Sequence, residues 1–268
     1  MRQELSQAFA LDGRTAVVTG AASGIGRETA QVFALAGARL LLADLDEAAL
    51  AATEAEVQAL GGEASALRAD VAKRTEVEAL AAAALGSFGR LDVWVNCAGV
   101  TATIPVLEAD EAELDRQLAV NLKGTYWGCA AAARAMQAQG SGSIINVSST
   151  GADSAAPGFS IYAMTKSAVN TLTRACAKEF GPLGVRVNAV APGWIDTPLA
   201  NFRFRDASGA IDPQLREQGL RDRAKASPLG LTGAPRDVAL AMLYLASDAS
   251  RFVTGQVLRP NGGATMPG

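Results

Sequence analysis

The 268-residue sequence predicts an α/β fold: a doubly wound parallel sheet with helices on both faces. Three observations carry that expectation. Short aliphatic or β-branched runs alternate with segments of helical apolar period. The first run leads directly into a glycine-rich turn and then a helix, the arrangement of a Rossmann-type unit. Hydrophobic residues make up 49% of the chain, ample for one large core, and α/β folds of this length commonly form a single domain, here residues 1–268.

The elements follow in order. Residues 15–19 (Thr-Ala-Val-Val-Thr) read as a strand buried on both faces. Over residues 24–36, Ile25, Ala30, Phe33 and Ala34 recur at helical spacing, and Gly37 supplies a stop. The alternation continues with a strand over 39–44, a helix over 48–60, a strand over 64–68, a helix over 75–88 and a strand over 92–97. A long helical pattern covers 111–139, a strand follows over 143–147, and the next helix holds Tyr162 and Lys166 and runs to about Phe180, before Gly181 and Pro182. Residues 185–190 are the sixth strand. The pattern loosens over 197–227, where Phe202 and Phe204 lie among Arg203, Arg205 and Asp206; so long a segment in a compact domain is expected to be a substrate lid. A helix over 235–246 and a strand over 256–259 close the sheet.

Composition narrows the chemistry. There is no histidine, which excludes a Ser-His-Asp triad, a Cys-His pair and a histidine-ligated zinc. Cys97, Cys129 and Cys176 are widely separated and lack C-x-x-C spacing, so free buried thiols and no metal site are expected. A net charge of −3 with scattered basic residues gives no reason to expect nucleic-acid binding. Residues 1–14 carry Arg2, Glu4 and Asp12 and lack the apolar segment of a signal peptide, and no apolar run is long enough for a bilayer. The expectation is a cytoplasmic protein with no membrane association.

Tyr162 and Lys166 stand at i and i+4 of a helix, so an ammonium can lie beside a phenol and is expected to lower its pKa from ~10, making it a general acid or base. Ser149 lies thirteen residues upstream. After the first strand, Gly20-Ala21-Ala22-Ser23-Gly24-Ile25-Gly26 has the spacing G-x-x-x-G-x-G, which allows a backbone to approach a pyrophosphate held by a helix N-terminus. Asp44 ends the second strand eighteen residues after Gly26, close to the ~20 expected of a ribose-binding acid. Its charge repels a 2′-phosphate, and no arginine stands at Ala21, Ala22 or Leu45, so NAD is expected over NADP. Asp70-Val71 and Asn96-Cys97-Ala98-Gly99 fall at carboxyl ends of strands, where ligands bind, although either could be ordinary turn chemistry.

These ordered motifs resemble those of the classical short-chain dehydrogenase/reductase family along nearly the whole chain. The resemblance implies a cofactor set of Gly20, Ser23, Gly24, Ile25, Gly26, Asp44, Leu45, Asp70, Val71, Asn96, Ala98 and Gly99, with Pro192, Gly193, Ile195 and Thr197 on the nicotinamide side. It implies catalysis by Asn121, Ser149, Tyr162 and Lys166, the last two also touching cofactor. Tyr162 would exchange the proton, Ser149 hold the substrate oxygen, Lys166 bind the nicotinamide ribose, and Asn121 hold a water linking Lys166 to solvent. Two departures stand out: Cys97 replaces the more usual second asparagine, and Pro260-Asn261-Gly262-Gly263 stands where Asp-Gly-Gly is common.

Hydride transfer between a secondary alcohol or ketone and NAD is therefore the expected reaction. Val100, Thr101, Ala156, Phe159, Trp194 and Leu199 are expected to line the substrate site, with Phe202 and Phe204 closing from the lid. Sugars and polyols stay open as substrates, as does an anionic substrate met by Arg203 or Arg205. A cofactor-sensing binding protein and a related dehydratase, epimerase or isomerase are the alternatives of other classes. The resemblance also implies a homotetramer.

Overall fold

Short runs, mostly aliphatic and buried in the central strands and more polar at one edge, become the strands of one sheet. In the computed structural model, which describes residues 2–204 and 209–267, these are β1 (Thr15–Thr19), β2 (Arg39–Asp44), β3 (Glu63–Arg68), β4 (Val93–Asn96), β5 (Gly142–Val147), β6 (Val185–Val190) and β7 (Val257–Leu258). The order is β3-β2-β1-β4-β5-β6-β7 and every pairing is parallel. Period-two alternation divides the core between the two faces. Val18, Leu40, Leu42, Val95 and Ile145 pack on one side with Phe33 and Met242, whereas Val17, Leu41, Trp94, Ile144 and Val187 pack on the other with Leu80, Met136 and Cys176.

The helices are α1 (Arg2–Phe9), α2 (Gly24–Leu35), α3 (Glu47–Ala59), α4 (Arg74–Phe88), α5 (Glu111–Gln117), α6 (Thr125–Gln137), α7 (Ser160–Phe180), α8 (Pro213–Ala226) and α9 (Pro235–Ala246). Asp46, Asp110 and Asp212 cap α3, α5 and α8 by accepting from Ala49, Glu113 and Gln214 backbone N–H groups at 3.0, 2.8 and 2.8 Å. Each such cap contributes about 1 kcal/mol. No helix among the described residues is long and apolar enough to cross a membrane.

Strand order reverses between β1 and β4, so their carboxyl ends diverge from the helices on either side and leave a crevice, the place where open α/β sheets bind ligands. The loops after both strands meet there: a Cβ on Gly20 would lie 2.8 Å from Ala98 Cα.

Three departures from the sequence expectation bear on the site. The helical pattern over 111–139 is interrupted by a π-helical segment, Leu118–Gly124, and ends at Gln137. Such segments re-aim side chains and gather at functional sites; this one carries Asn121. The segment 197–227 is more ordered than its loose pattern suggested, holding a 3₁₀ turn, Asn201–Phe204, and α8. No residue of α8 is buried, so it has no apolar stripe to betray it. Arg205 and Asp206 lie outside the described residues. The short helix α1 was not anticipated, because its sequence is polar around most of its surface.

Candidate active site

The crevice is a cavity of about 520 Å³ whose walls come from both loops, α7 and the segment after β6. At one end lies the glycine turn. Gly20 and Gly24 have φ of +70° and +52°, a region that favours glycine, and a Cβ on Gly26 would collide with the Gly20 carbonyl. The sequence therefore uses glycine to keep a backbone concavity open at the N-terminus of α2, the geometry that receives a pyrophosphate. Asp44 borders the same space. Its carboxylate accepts from the backbone N–H groups of Ala22 (3.0 Å) and Leu45 (2.7 Å), fixing it beside the cradle. Arg68, its register partner on β3, turns instead toward Glu47 and Glu76, at 3.8 Å each.

The walls include Gly20, Ser23, Gly24, Ile25, Gly26, Asp44, Leu45, Asp70, Val71, Ala98, Gly99, Pro192, Gly193, Ile195 and Thr197, all expected there from sequence. Glycines that a Cβ would fill, and an acid placed at the strand end, fit a nicotinamide dinucleotide.

One expected cofactor residue is placed elsewhere. Asn96 is buried beneath the site and does not line the cavity. Its amide accepts from Trp94 Nε1 (2.7 Å) and donates to Asn146 Oδ1 (2.8 Å), while Asn146 donates to Thr173 Oγ1 (3.0 Å). A carboxamide inside a parallel sheet must satisfy itself in place, and this chain of amides ties β4 to β5 and α7. Thr19, which sequence reasoning passed over, holds the next loop: its Oγ1 accepts from the N–H groups of Cys97 (3.1 Å) and Ala98 (3.2 Å). Its position as the last residue of β1, just before Gly20, was the available signal.

At the other end of the cavity α7 presents Tyr162 and Lys166. Ser149 hydrogen-bonds the Tyr162 hydroxyl and is itself fixed by accepting from Gly151 N–H at 3.0 Å. Burial raises the Tyr162 pKa above its ordinary value, and the Ser149 hydrogen bond pulls it partly back. The expected lowering by Lys166 is not among the causes of this shift. The Lys166 ammonium lies 5.6 Å from the phenol ring centroid and donates to the Val147 carbonyl at 2.8 Å. Burial lowers its pKa to about 8.

Asn121 stands one layer behind the wall. Its Nδ2 donates to Val100 O (2.9 Å) and Thr165 Oγ1 (3.2 Å), and its Oδ1 accepts from Val100 N–H (2.8 Å). A Cβ on Gly99 would sit 3.4 Å from Asn121 Oδ1 and 3.6 Å from Lys166 Nζ, so the missing side chain leaves a gap between the two polar groups. Cys97 lines the cavity, and burial pushes its thiol up to about 12; it is neutral and takes no part in proton exchange near neutral pH.

Val100, Thr101, Ala156, Phe159, Trp194, Leu199 and Phe202 line the cavity as expected, and so does Arg203. Phe204 does not reach it. Its ring packs beside Trp194, centroids 6.3 Å apart, and against Gly219 of α8, where a Cβ would meet the ring. Asp196 anchors this segment, accepting from Asn201 Nδ2 at 2.7 Å and pairing with Arg216 of α8. Phe159 meets Tyr162 edge-on, with centroids 6.4 Å apart.

Comparison with known proteins agrees with this geometry. Residues 20–265 match the family model described as Enoyl-(Acyl carrier protein) reductase. The chain is 41% identical to Galactitol 2-dehydrogenase (L-tagatose-forming) of Cereibacter sphaeroides, across 96% of this chain and 97% of that one. It is 38% identical to 3beta-hydroxysteroid dehydrogenase 1 of Eggerthella lenta, across 96% and 95%. The crystal structure of Levodione Reductase superposes with a TM-score of 0.88 at 33% identity, covering 94% of this chain and 98% of that one. The seven-stranded sheet, the cradle at its switch point and these relatives lead to one conclusion: the chain belongs to the short-chain dehydrogenase/reductase family of oxidoreductases, which use nicotinamide cofactors.

Proposed function

We propose that this protein is an NAD(H)-dependent oxidoreductase interconverting a secondary alcohol and its ketone, with Tyr162 as general acid and base. The carrying observation is the convergence of Ser149, Tyr162 and Lys166 on one cavity with the glycine cradle and Asp44. When bound, the nicotinamide supplies the hydride acceptor or donor. The chain does the rest. Tyr162 takes the hydroxyl proton in oxidation and returns it in reduction, while the Ser149 hydroxyl holds the substrate oxygen. Lys166 binds the nicotinamide ribose, and the gap over Gly99 between Lys166 and Asn121 is where a water would relay protons. A binding protein would need neither the buried ammonium nor the serine-held phenol.

Asp44 supports NAD as the cofactor. Its carboxylate is fixed at the cradle, and Arg68, the nearest strand neighbour that could meet a 2′-phosphate, is drawn off by Glu47 and Glu76. Asp44→Ala is expected to reduce the NAD over NADP preference, measured as the ratio of kcat/KM values, by about 10- to 100-fold, the worth of a charge-assisted hydrogen bond and a lost repulsion. Unchanged preference would remove Asp44 as the selector.

The cavity's apolar walls at Val100, Phe159, Trp194 and Leu199 support an alcohol with apolar parts. A sugar or polyol is the second reading of the same mechanism, supported by the relative named for galactitol. We assign the segment 197–227 as the substrate lid, anchored by Asp196. The family and the almost fully exposed Leu107 and Phe252 support a homotetramer, and the free cysteines suit a reducing cytoplasm. A panel of aliphatic, aromatic, sugar and anionic secondary alcohols, followed by NADH formation, tests the reading. NAD binding without turnover of any alcohol would count against it.

A further inference from the structure

Among the described residues, two arginines at the mouth of the cavity have no carboxylate partner. Elsewhere on the lid, basic groups are matched: Arg216 with Asp196, Arg221 with Glu217 at 2.7 Å, and Lys225 with Asp222 at 4.0 Å. Arg203 and Arg223 both line the cavity, and among the described residues neither makes an ion pair. The Arg203 guanidinium lies over the Phe159 ring, 4.2 Å from its centroid, and its Nη2 reaches Thr103 Oγ1 at 3.4 Å, a long contact. Burial and the charge of Arg223 both lower the Arg203 pKa, so the two cations feel each other across the mouth. The buried Oγ1 of Thr101, on the same wall, has no hydrogen-bond partner.

Both guanidinium groups stand exposed at the cavity mouth, and two like charges brought together there attract an anion that can join them. The position selects which anion. Phe159 lies between Arg203 and Tyr162, at the end of the cavity away from Asp44, so the charge belongs to the molecule placed against Tyr162. Guanidinium forks match planar or tetrahedral oxyanions.

We infer that the substrate of the proposed oxidoreductase carries an oxyanion, a carboxylate or a phosphate, at the end remote from its carbinol carbon, and that Arg203 and Arg223 bind it. This rests on the reading of Tyr162 as the reacting end. The ring of Phe159 sets the guanidinium height and covers the carbon skeleton between the two ends.

The test uses the full chain with NADH bound and measures thermal stabilisation and affinity for malate, gluconate and glycerol phosphate against dimethyl malate, glucitol and glycerol. The charged member of at least one pair is expected to bind more tightly than its neutral partner. The double variant R203Q/R223Q should weaken that anion about 10- to 100-fold. Its NADH affinity should be unchanged, and R221Q, which removes a paired surface charge, should leave anion affinity unchanged. The carboxylate and phosphate arms identify which oxyanion is preferred. Equal binding of every neutral partner, or full anion affinity in R203Q/R223Q, would overturn the inference. Loss of NADH affinity in that variant would do so too, by giving the arginines to the cofactor. Tyr162→Phe separates the two readings, because it should keep anion binding while losing turnover.

Discussion

Tyr162→Phe is expected to lower kcat by about 10³-fold while the NAD dissociation constant stays within about 3-fold, the range set by removing a general acid–base group that does not carry cofactor affinity. The substitution deletes one hydroxyl. The tyrosine is half-buried beside Ser149 and packs edge-on against Phe159, so the phenylalanine ring keeps its place. Burial raises the Tyr162 pKa above its ordinary value, so the phenol holds its proton at neutral pH. Oxidation needs the phenolate and should accelerate as pH rises; reduction needs the phenol and should slow over the same range. A pH–rate profile in both directions checks this sign, and full activity in the phenylalanine variant would dismiss Tyr162 from the chemistry.

Lys166→Met should separate stability from activity. Burying an ammonium so that its pKa falls from 10.5 to about 8 corresponds to about 3 kcal/mol of destabilisation of the charged form. Its hydrogen bond to Val147 returns part of that. Methionine fills similar volume without the charge, so the variant is expected to be about 1–2 kcal/mol more stable at neutral pH, seen as a higher Tm. The pH dependence gives an independent check. Between pH 8 and 10.5 the unfolded chain binds more protons at this site than the folded one, so wild-type stability from Lys166 rises with pH across that window. The variant should lack this rise. It should also lose about 10²-fold in kcat/KM, as the role proposed for Lys166 requires. A less stable variant with full turnover would contradict both halves.

Much of this was legible in the sequence for physical reasons. A strand buried on both faces must be apolar along its centre, and β1 and β2 carry that run; a backbone that must approach a phosphate needs glycine, and Gly20, Gly24 and Gly26 supply it. Tyr162 and Lys166 share a helix face because of helical periodicity alone. Less legible were features set by tertiary contact. Asn96 sits at a strand end where a ligand residue was expected, yet Trp94 and Asn146 claim its amide. The π-helical turn at Asn121 leaves no mark in the apolar pattern, and α8 has no apolar face to reveal it. Arg223 lies ten residues beyond the start of α8, and only the folding of α8 against the segment after β6 brings it to the cavity with Arg203. The effect of Lys166 on Tyr162 also escaped the sequence argument, since proximity on a helix does not tell which carbonyl will take the ammonium.

The central claim is net hydride transfer to the nicotinamide with Tyr162 exchanging the proton, and product stoichiometry tests it most directly. Wild-type protein is incubated with NAD and the anionic and neutral secondary alcohols, and NADH and ketone are quantified together. The account predicts NADH and ketone in equal amounts, both abolished by Tyr162→Phe. Conversion of substrate with no net change in nicotinamide absorbance would contradict it and point to a dehydratase, epimerase or isomerase.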